Sequence, residues 1–203
     1  MVRARWQGDT AGMPIDHSSA SYAVAQPAAG SKRPMHAPVD PSVYRQAIGH
    51  FATGVSVITA VNDRGDRHGM TANAVASVSL SPVLLLVCIA HDLPTHRAVR
   101  TTRRFNLSLL RAEQLQLARQ FACPAPDKFA GVRLLEGKQP PVLADALAHF
   151  ECELYKEFIA GDHSVFIGRV ECCESHGDPT VDPLVYYRGG YHGLAGADCG
   201  SPI

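Results

Sequence analysis

The chain has 203 residues, with 19 basic residues balanced by 19 acidic ones, and 46% of its residues are hydrophobic. This length favours one principal domain with a sizeable core. Because the formal net charge is zero, the sequence argues against binding to nucleic acid or to an anionic membrane surface, where excess basic residues supply the affinity. No apolar run reaches the roughly 18 residues of a membrane span, so we expect no membrane partner.

Two terminal segments are expected to lie outside the folded domain. Residues 1–37 are rich in Ala, Ser, Gly and Pro and show no sustained apolar period. A segment of this composition cannot bury enough apolar surface to offset its ordering entropy, which predicts a disordered N-terminal tail. Residues 195–203 are expected to form a flexible C-terminal tail, which leaves 38–194 as the folded domain.

The six cysteines show no CxxC pair and no zinc-type spacing with histidine. We therefore expect reduced, mostly structural thiols and no metal site. The N-terminus lacks the apolar stretch and cleavage pattern of a secretory signal. Together these features favour a cytoplasmic protein.

The first predicted element is a helix that begins at Asp40-Pro41, where an N-cap residue precedes a proline suited to the first helical position. We expect this helix to end near Gly54. The β-branched residues 54–61 predict a strand. Residues 62–66 predict a hairpin turn into a returning strand over 67–75.

The middle of the chain alternates between strands and short helices. Residues 83–89 form a nearly continuous apolar run, which predicts a strand buried on both faces. A short helix is expected over 94–102, a strand over 105–110 and a helix over 113–121.

The last third of the chain is β-rich. Alternation over 149–154 predicts a strand with Cys152 on a buried face and His149 on a wet face. Residues 164–173 are its expected hairpin partner, and a last strand over 184–187 ends at a Gly-Gly pair. About six or seven strands without βαβ alternation predict a mainly β fold with helical insertions, built as a closed or nearly closed antiparallel barrel.

Three segments carry candidate chemistry. The small residues of 69–77 let a planar ligand approach the backbone, although a plain edge strand explains them as well. Residues 161–163, Gly-Asp-His, fit either a simple turn or an imidazole at the mouth of a pocket. The tyrosines of 183–192 are compatible with stacking on a flat ligand or with a core strand and turn. No phosphate-binding loop, GxGxxG, HExxH or GxSxG motif is present, so nucleotide use requires a non-Rossmann site.

Seven short segments occur in a characteristic order. They are FATGVSVIT at 51–59, GMTANA at 69–74, SVSLSP at 77–82 with LLLVC at 84–88, FNLSL at 105–109, DKFAGV at 127–132, GDH at 161–163 and YRGGY at 187–191. Together they resemble the short-chain flavin reductases that serve two-component flavin-dependent monooxygenases, over about residues 40–194. Each segment alone is weakly specific, whereas the ordered series is specific.

The resemblance implies an FMN-binding split β-barrel that forms a homodimer, with the flavin near the subunit interface. The implied function is an NADH-dependent flavin reductase that supplies reduced FAD or FMN, by diffusion, to a separate monooxygenase. The cofactors carry the hydride transfer, which accounts for the missing acid–base pair. Two alternatives stay open, namely a flavin-retaining oxidoreductase of the same barrel acting on an organic substrate, and a non-catalytic flavin- or haem-binding module.

The resemblance also implies the site residues. Those expected along the isoalloxazine are His68, Gly69, Met70, Thr71, Ala72, Asn73 and Ala74. Those expected at the ribityl-phosphate arm are Cys88, Ile89, Ala90, Asp92 and Thr95. Those expected around the nicotinamide and the exposed ring faces are Gly161, Asp162, His163 and Tyr191, with His163 positioning the nicotinamide.

Two features of these segments bear on cofactor preference. Many members of the family have Ser then Phe after the Asn, where this chain has Ala74 and Val75. This smaller pair widens the site and leaves the choice between FAD and FMN open. The turn over 160–164 has the acidic Asp162 and no basic residue except His163. Because a 2′-phosphate needs a dedicated basic partner, NADH is expected to be preferred over NADPH.

Overall fold

The computed structural model describes residues 38–176 and 180–194. The predicted tails over 1–37 and 195–203 lie outside the described residues. The described residues from Val39 onward belong to one compact unit. In these two ranges, no helix is both long enough and apolar enough to cross a bilayer.

The described ranges contain three α-helices, one 3-10 helix and ten strands. The helices are α1 (Pro41–Ile48), α2 (Pro94–Thr102) and α3 (Leu115–Ala122), and the 3-10 helix covers Ala112–Gln114. The first five strands are β1 (Thr53–Gly54), β2 (Ser56–Val61), β3 (Arg67–Ala72), β4 (Val75–Leu80) and β5 (Val83–Ala90). The other five are β6 (Arg104–Leu109), β7 (Ala148–Ala160), β8 (His163–Ser175), β9 (Val185–Tyr187) and β10 (Gly190–His192).

Seven strands form one antiparallel sheet in the order β3-β2-β6-β7-β8-β5-β4, which confirms the mainly β, antiparallel prediction. The two edge strands, β3 and β4, are consecutive in the chain and are separated only by Asn73 and Ala74. Three peptide steps span at most about 11 Å, so the two edges converge at this end and the sheet is curled. No hydrogen-bonded ladder joins β3 to β4.

A second, three-stranded sheet has the order β1-β9-β10. The sequence predicted that the last strand ends at the Gly-Gly pair, whereas β10 returns from that point and pairs with β9. Arg188 and Gly189 have φ of 49° and 80°. Two successive positive φ values are typical of a type I′ hairpin turn, which explains the reversal.

Several predicted boundaries were wrong, for local reasons. Helix α1 ends at Ile48 rather than near Gly54, because Gly49 caps it and β1 follows. The returning strand ends at Ala72, and the separate strand β4 was missed because its alternation covers only Ala76, Val78 and Leu80 and most of its residues are exposed. His149 is buried rather than wet, because a bulge between Glu151 and Cys152 breaks the alternation of β7.

Around β2, the large sheet is buried on both of its faces. Adjacent residues of β2 show this, because Ile58 packs in one apolar cluster and Val57 packs in another. The first cluster includes Phe105 and lies between the curled strands, and the second includes Phe121 and lies under α3 and the loop that follows it. The edge strand β3 is therefore held against an aromatic layer on one face.

The described cysteines are all free thiols, which confirms the prediction of reduced cysteines for these positions: Cys88, Cys123, Cys152, Cys172 and Cys173. Burial raises the pKa of Cys152 to about 12, so this thiol is protonated and unreactive at neutral pH. Cys199 lies outside the described residues.

Candidate functional site

The edge strand β3 forms one wall of the candidate site. It is paired only with β2, so the backbone N–H and C=O groups on its other side are available to a ligand. A Cβ atom added at Gly69 would lie 2.4 Å from Cε1 of Phe121 and 3.3 Å from Cζ of Phe129. Only glycine therefore lets this strand approach the two rings, whose centroids are 5.1 Å apart.

A cavity of about 490 Å³ lies between β3 and the start of α2. We call it the β3–α2 cavity; it is lined by residues 66–70, 93–95 and 125–129. It brings His68, Gly69 and Met70 together with Thr95. From the resemblance, the first three were expected along the isoalloxazine and Thr95 at the ribityl-phosphate arm. Its volume lies within the range of small-molecule sites in proteins.

The β3–α2 cavity carries positive charge that the sequence reasoning did not assign. The ammonium group of Lys128 donates to the C=O of Phe121 at 2.9 Å and to that of Gly69 at 3.3 Å. An ammonium group has three donors, so one N–H remains for a ligand. Burial lowers the pKa of Lys128. The guanidinium of Arg67 lies 5.0 Å from the ring centroid of Phe129.

Helix α2 adds the positive end of its dipole to the same cavity. Pro94 occupies its first turn, and Thr95 is 2% exposed. A helix N-terminus beside a lysine and an arginine is suited to a phosphate group. Asp66 and Asp127 also line the cavity, so its charge is mixed. The sequence reasoning did not name Lys128, and the DKFAGV segment of the resemblance was the signal that could have pointed to it.

A smaller cavity of about 190 Å³ lies at the far end of β3, with Thr71, Ala72 and Asn73 on one side and Tyr186 and Tyr191 on the other. The predicted residue Tyr191 is therefore close to the predicted strand segment. The tyrosine rings meet edge to face with centroids 5.4 Å apart. Burial, then Tyr186, raises the pKa of Tyr191, so its hydroxyl stays protonated.

Two polar side chains of this segment are already hydrogen-bonded within the protein. The hydroxyl of Thr71 donates to the C=O of Ala118 at 2.6 Å. The amide of Asn73 donates to Oγ1 of Thr53 at 3.2 Å. A ligand at this segment therefore meets mostly backbone groups and the remaining capacity of the Asn73 amide.

The end of β5 joins the two halves of the predicted site. The N–H of Cys88 donates to the C=O of Ala74 at 3.1 Å, and Ala90 lies opposite His163 in the β5–β8 register. The side chain of Ile89 is fully buried, so this residue can meet a ligand only through its backbone. Asp92 is exposed in the turn before α2.

The Gly-Asp-His turn lies between β7 and β8. Gly161 has φ of 64°, as the turn requires. Nδ1 of His163 lies 2.7 Å from Oδ1 of Asp162. This hydrogen bond, followed by the attraction of the imidazole, lowers the pKa of Asp162, which is therefore ionised and accepts the Nδ1 proton. Nε2 of His163 is then the ring nitrogen left for a ligand.

Two other arginines, Arg169 on β8 and Arg188 in the turn between β9 and β10, lie away from both cavities. Arg169 forms ion pairs with Glu153 and Glu171. Nη2 of Arg188 lies 3.3 Å from Nδ1 of His50. Neither arginine lines the β3–α2 cavity or the cavity next to Tyr191. Among the described residues, no group of three or more His, Cys, Asp or Glu side chains is arranged to hold a metal ion.

A comparison with protein families assigns residues 48–195 to the flavin reductase like domain. This chain belongs to that family. It is 39% identical over 152 residues to the reductase component of a 4-nitrophenol 4-monooxygenase/4-nitrocatechol 2-monooxygenase from Rhodococcus opacus, which covers 75% of this chain and 80% of that protein. It is 34% identical over 165 residues to an NADH:riboflavin 5'-phosphate oxidoreductase from Streptomyces pristinaespiralis, covering 80% of this chain and 93% of the relative.

Among solved structures, the fold matches an NADH:FAD oxidoreductase from Streptomyces globisporus C-1027 in complex with NAD and FAD fragments. The TM-score is 0.71 at 34% sequence identity, and the match covers 79% of this chain and 98% of that chain. Two other relatives are longer, and the chain spans only 48% and 47% of their lengths. Members of this family thus occur both as short chains and as parts of longer ones.

Proposed function

We propose that this protein is an NADH-dependent flavin reductase that supplies reduced FAD or FMN to a separate monooxygenase. The observation that carries the proposal is the β3–α2 cavity beside an unpaired strand edge, in a chain of the flavin reductase family. Relatives named as NADH-dependent reductases and as reductase components of monooxygenases support the same reaction and the same division of labour.

The residues present fit a flavin. The free backbone groups of β3 suit the polar edge of a flat ring, and Gly69 keeps this strand pressed against Phe121. The remaining N–H of Lys128 and the N-terminus of α2 suit a phosphate. The predicted residues from His68 to Ala74 would hold the ring, and those from Cys88 to Thr95 would hold the ribityl-phosphate arm.

When bound, the nicotinamide and the flavin supply the hydride donor and the hydride acceptor of the reaction. The protein's own contribution is to hold two flat rings in contact and to exclude water from between them. His163, held by Asp162 through Nδ1, orients the nicotinamide through a hydrogen bond from Nε2 to the carboxamide group. No side chain is required as an acid or base.

The finer features of the assembly are part of the same proposal. The curled sheet with an unladdered β3–β4 gap supports an FMN-binding split barrel. Helix α1 has no buried residue, and Val43, Tyr44 and Phe51 are 58%, 59% and 70% exposed, which supports a homodimer that covers this apolar face. The free thiols support a cytoplasmic location, and residues 38–194 form the catalytic domain.

Steady-state oxidation of NADH with added FAD, FMN or riboflavin tests the proposal. We expect turnover that depends on free flavin and saturates with it. Turnover that never exceeds the flavin-free rate would refute the reductase assignment. A yellow cofactor that survives purification and stays bound during turnover would favour the flavin-retaining oxidoreductase instead. Bound flavin or haem without any NADH oxidation would favour the non-catalytic module.

A further inference from the structure

A polar cluster with two buried members, His96 and Ser164, connects the start of α2 to the hairpin turn between β7 and β8. We call it the Ser164 network; its members are His91, His96, Arg100, Glu157 and Ser164. The hydroxyl of Ser164 donates to Oε1 of Glu157 at 2.9 Å. It also lies 2.9 Å from Nε2 of His96 and 3.2 Å from Nε2 of His91.

The hydrogen-bonding capacity of this hydroxyl is completely used. A serine hydroxyl has one proton and two acceptor lone pairs. Because ionised Glu157 can only accept, the proton of the hydroxyl points to it. Both imidazoles must therefore donate their Nε2 protons to the oxygen of Ser164. One hydroxyl thus fixes the tautomers and ring orientations of His91 and His96.

The charges of the network are matched. Nε of Arg100 forms an ion pair with Oε2 of Glu157 at 3.1 Å. Burial, then repulsion by His91, lowers the pKa of His96, although Glu157 acts in the opposite direction. The flanking Arg100 and Arg97 also lower it. His96 is therefore neutral and 4% exposed, and Ser164 is 1% exposed.

Three of the five members, His91, His96 and Ser164, are next to a residue of the proposed site. Ser164 follows His163 on β8, and His96 follows Thr95 on α2. The backbone N–H of His91 donates to the C=O of Asp162 at 3.0 Å. The network thus fastens the nicotinamide-side turn to the helix start that lines the β3–α2 cavity.

We propose that Ser164 and Glu157 are positioning residues that hold His163 in place relative to Thr95, and so set how tightly the nicotinamide is bound. This inference rests on the proposed function. The ring centroid of His96 lies 5.1 Å from that of Phe166. Packing against this ring does not by itself require polar groups, because apolar side chains of similar volume would also fill the space. Removing the hydroxyl would leave the buried imidazole of His96, the half-buried imidazole of His91 and a carboxylate without a shared partner.

The test compares three serine variants by steady-state kinetics and flavin titration. Ser164→Ala removes the hydroxyl, and Ser164→Thr retains it. Ser108→Ala is the matched control, because the hydroxyl of Ser108 is also on a buried strand but has no hydrogen-bond partner among the described residues. We expect Ser164→Ala to raise the KM for NADH roughly tenfold with a much smaller change in kcat. Ser164→Thr and Ser108→Ala should stay within about twofold of the wild type.

The outcomes separate this inference from the proposed function. If the wild type shows no flavin-dependent NADH oxidation, the proposed function fails. If the wild type turns over and Ser164→Ala keeps its KM for NADH, only the positioning role is refuted. Equal KM increases in Ser164→Ala and Ser164→Thr would also refute it. Should Ser164→Ala not fold, Glu157→Gln, which removes the ion pair with Arg100, must raise the KM for NADH, and an unchanged KM overturns the inference.

Discussion

The two sides of the β3–α2 cavity are built by different interactions. On the β3 side, the position of the backbone is set by apolar packing, with Gly69 pressed against Phe121 and Phe129. On the α2 side, it is set by hydrogen bonds among buried polar groups centred on Ser164. A closely packed region is destabilised by added volume, whereas a hydrogen-bonded network is destabilised by the loss of one of its partners. On the β3 side, the damaging substitutions should therefore be those that add volume. On the α2 side, they should be those that remove a hydrogen-bonding group.

The largest effect is expected on the packed side. Gly69→Ala should lower the free energy of unfolding by about 1–3 kcal/mol, because the added methyl overlaps a buried ring, and should weaken flavin binding by displacing β3. Gly168→Ala is the matched control, since its Cβ would lie 2.5 Å from Cζ of Phe105 but Gly168 does not line the cavity. For each variant, thermal unfolding measures the loss of stability and flavin titration measures the affinity for flavin. Equal flavin affinity in the two variants would contradict the role of the β3 wall.

The polar side should show its largest effect at the hairpin turn. His163→Ala removes one hydrogen bond to the nicotinamide and should lower kcat/KM for NADH by up to about thirtyfold. Flavin affinity should change much less, because His163 does not line the β3–α2 cavity. Steady-state kinetics with varied NADH and a separate flavin titration measure the two. An unchanged dependence on NADH would show that the Gly-Asp-His turn is only structural.

Replacing Lys128 tests whether the flavin phosphate binds in the β3–α2 cavity. Lys128→Met should weaken FMN binding about tenfold and leave riboflavin binding unchanged, because only FMN has the phosphate. Lys156→Met, which removes the same charge from β7 outside the cavity, is the control. FMN affinity should fall as the pH rises through the pKa of Lys128. Since burial lowers that pKa, the fall should occur at lower pH than for an exposed lysine.

If riboflavin and FMN lose affinity equally in Lys128→Met, the lysine supports the loop around Phe129 rather than the phosphate. A pH-independent FMN affinity in the wild type across the alkaline range would point to the same conclusion. Either result would leave the α2 N-terminus and Arg67 as the groups facing the phosphate.

The preference for NADH over NADPH tests the negative charge at the hairpin turn between β7 and β8. We expect kcat/KM to favour NADH over NADPH by about tenfold at low ionic strength, because ionised Asp162 repels a 2′-phosphate. The Asp162 side chain is 93% exposed, so added salt should reduce the preference. Arg169 is neutralised by Glu153 and Glu171 and offers no compensation. Equal or better kcat/KM with NADPH would refute this, and Arg188→Ala would then be the next variant.

The smallest effect is expected from the N-terminal segment, residues 1–37. Deleting residues 1–37 should leave folding and NADH oxidation nearly intact, because a polar, aperiodic segment contributes little to a core. Size-exclusion chromatography and steady-state kinetics measure the outcome. Loss of an oligomer on truncation would assign the segment a role in holding subunits together.

The elements with strong local signals were predicted closely from the sequence. Helix α2 was predicted over its observed range, because Pro94 fixes its start and Ala98 and Val99 mark its buried face. Strand β4 was missed, because its alternation is short and its residues are mostly exposed. The wet-face prediction for His149 failed because a bulge depends on the partner strand and not on the strand's own residues.

By itself, the sequence determined the mainly β class, the order of the motifs and the flavin reductase family, because these depend on local periodicity and on short segments that keep their order. Only the tertiary structure decided which side chains share the site. His96 and Ser164 are 68 residues apart in the chain, and Lys128 and Gly69 are 59 apart, yet each pair is within hydrogen-bonding distance. Such contacts form because the curled sheet closes long loops, and no local pattern specifies which distant partner satisfies a buried polar group.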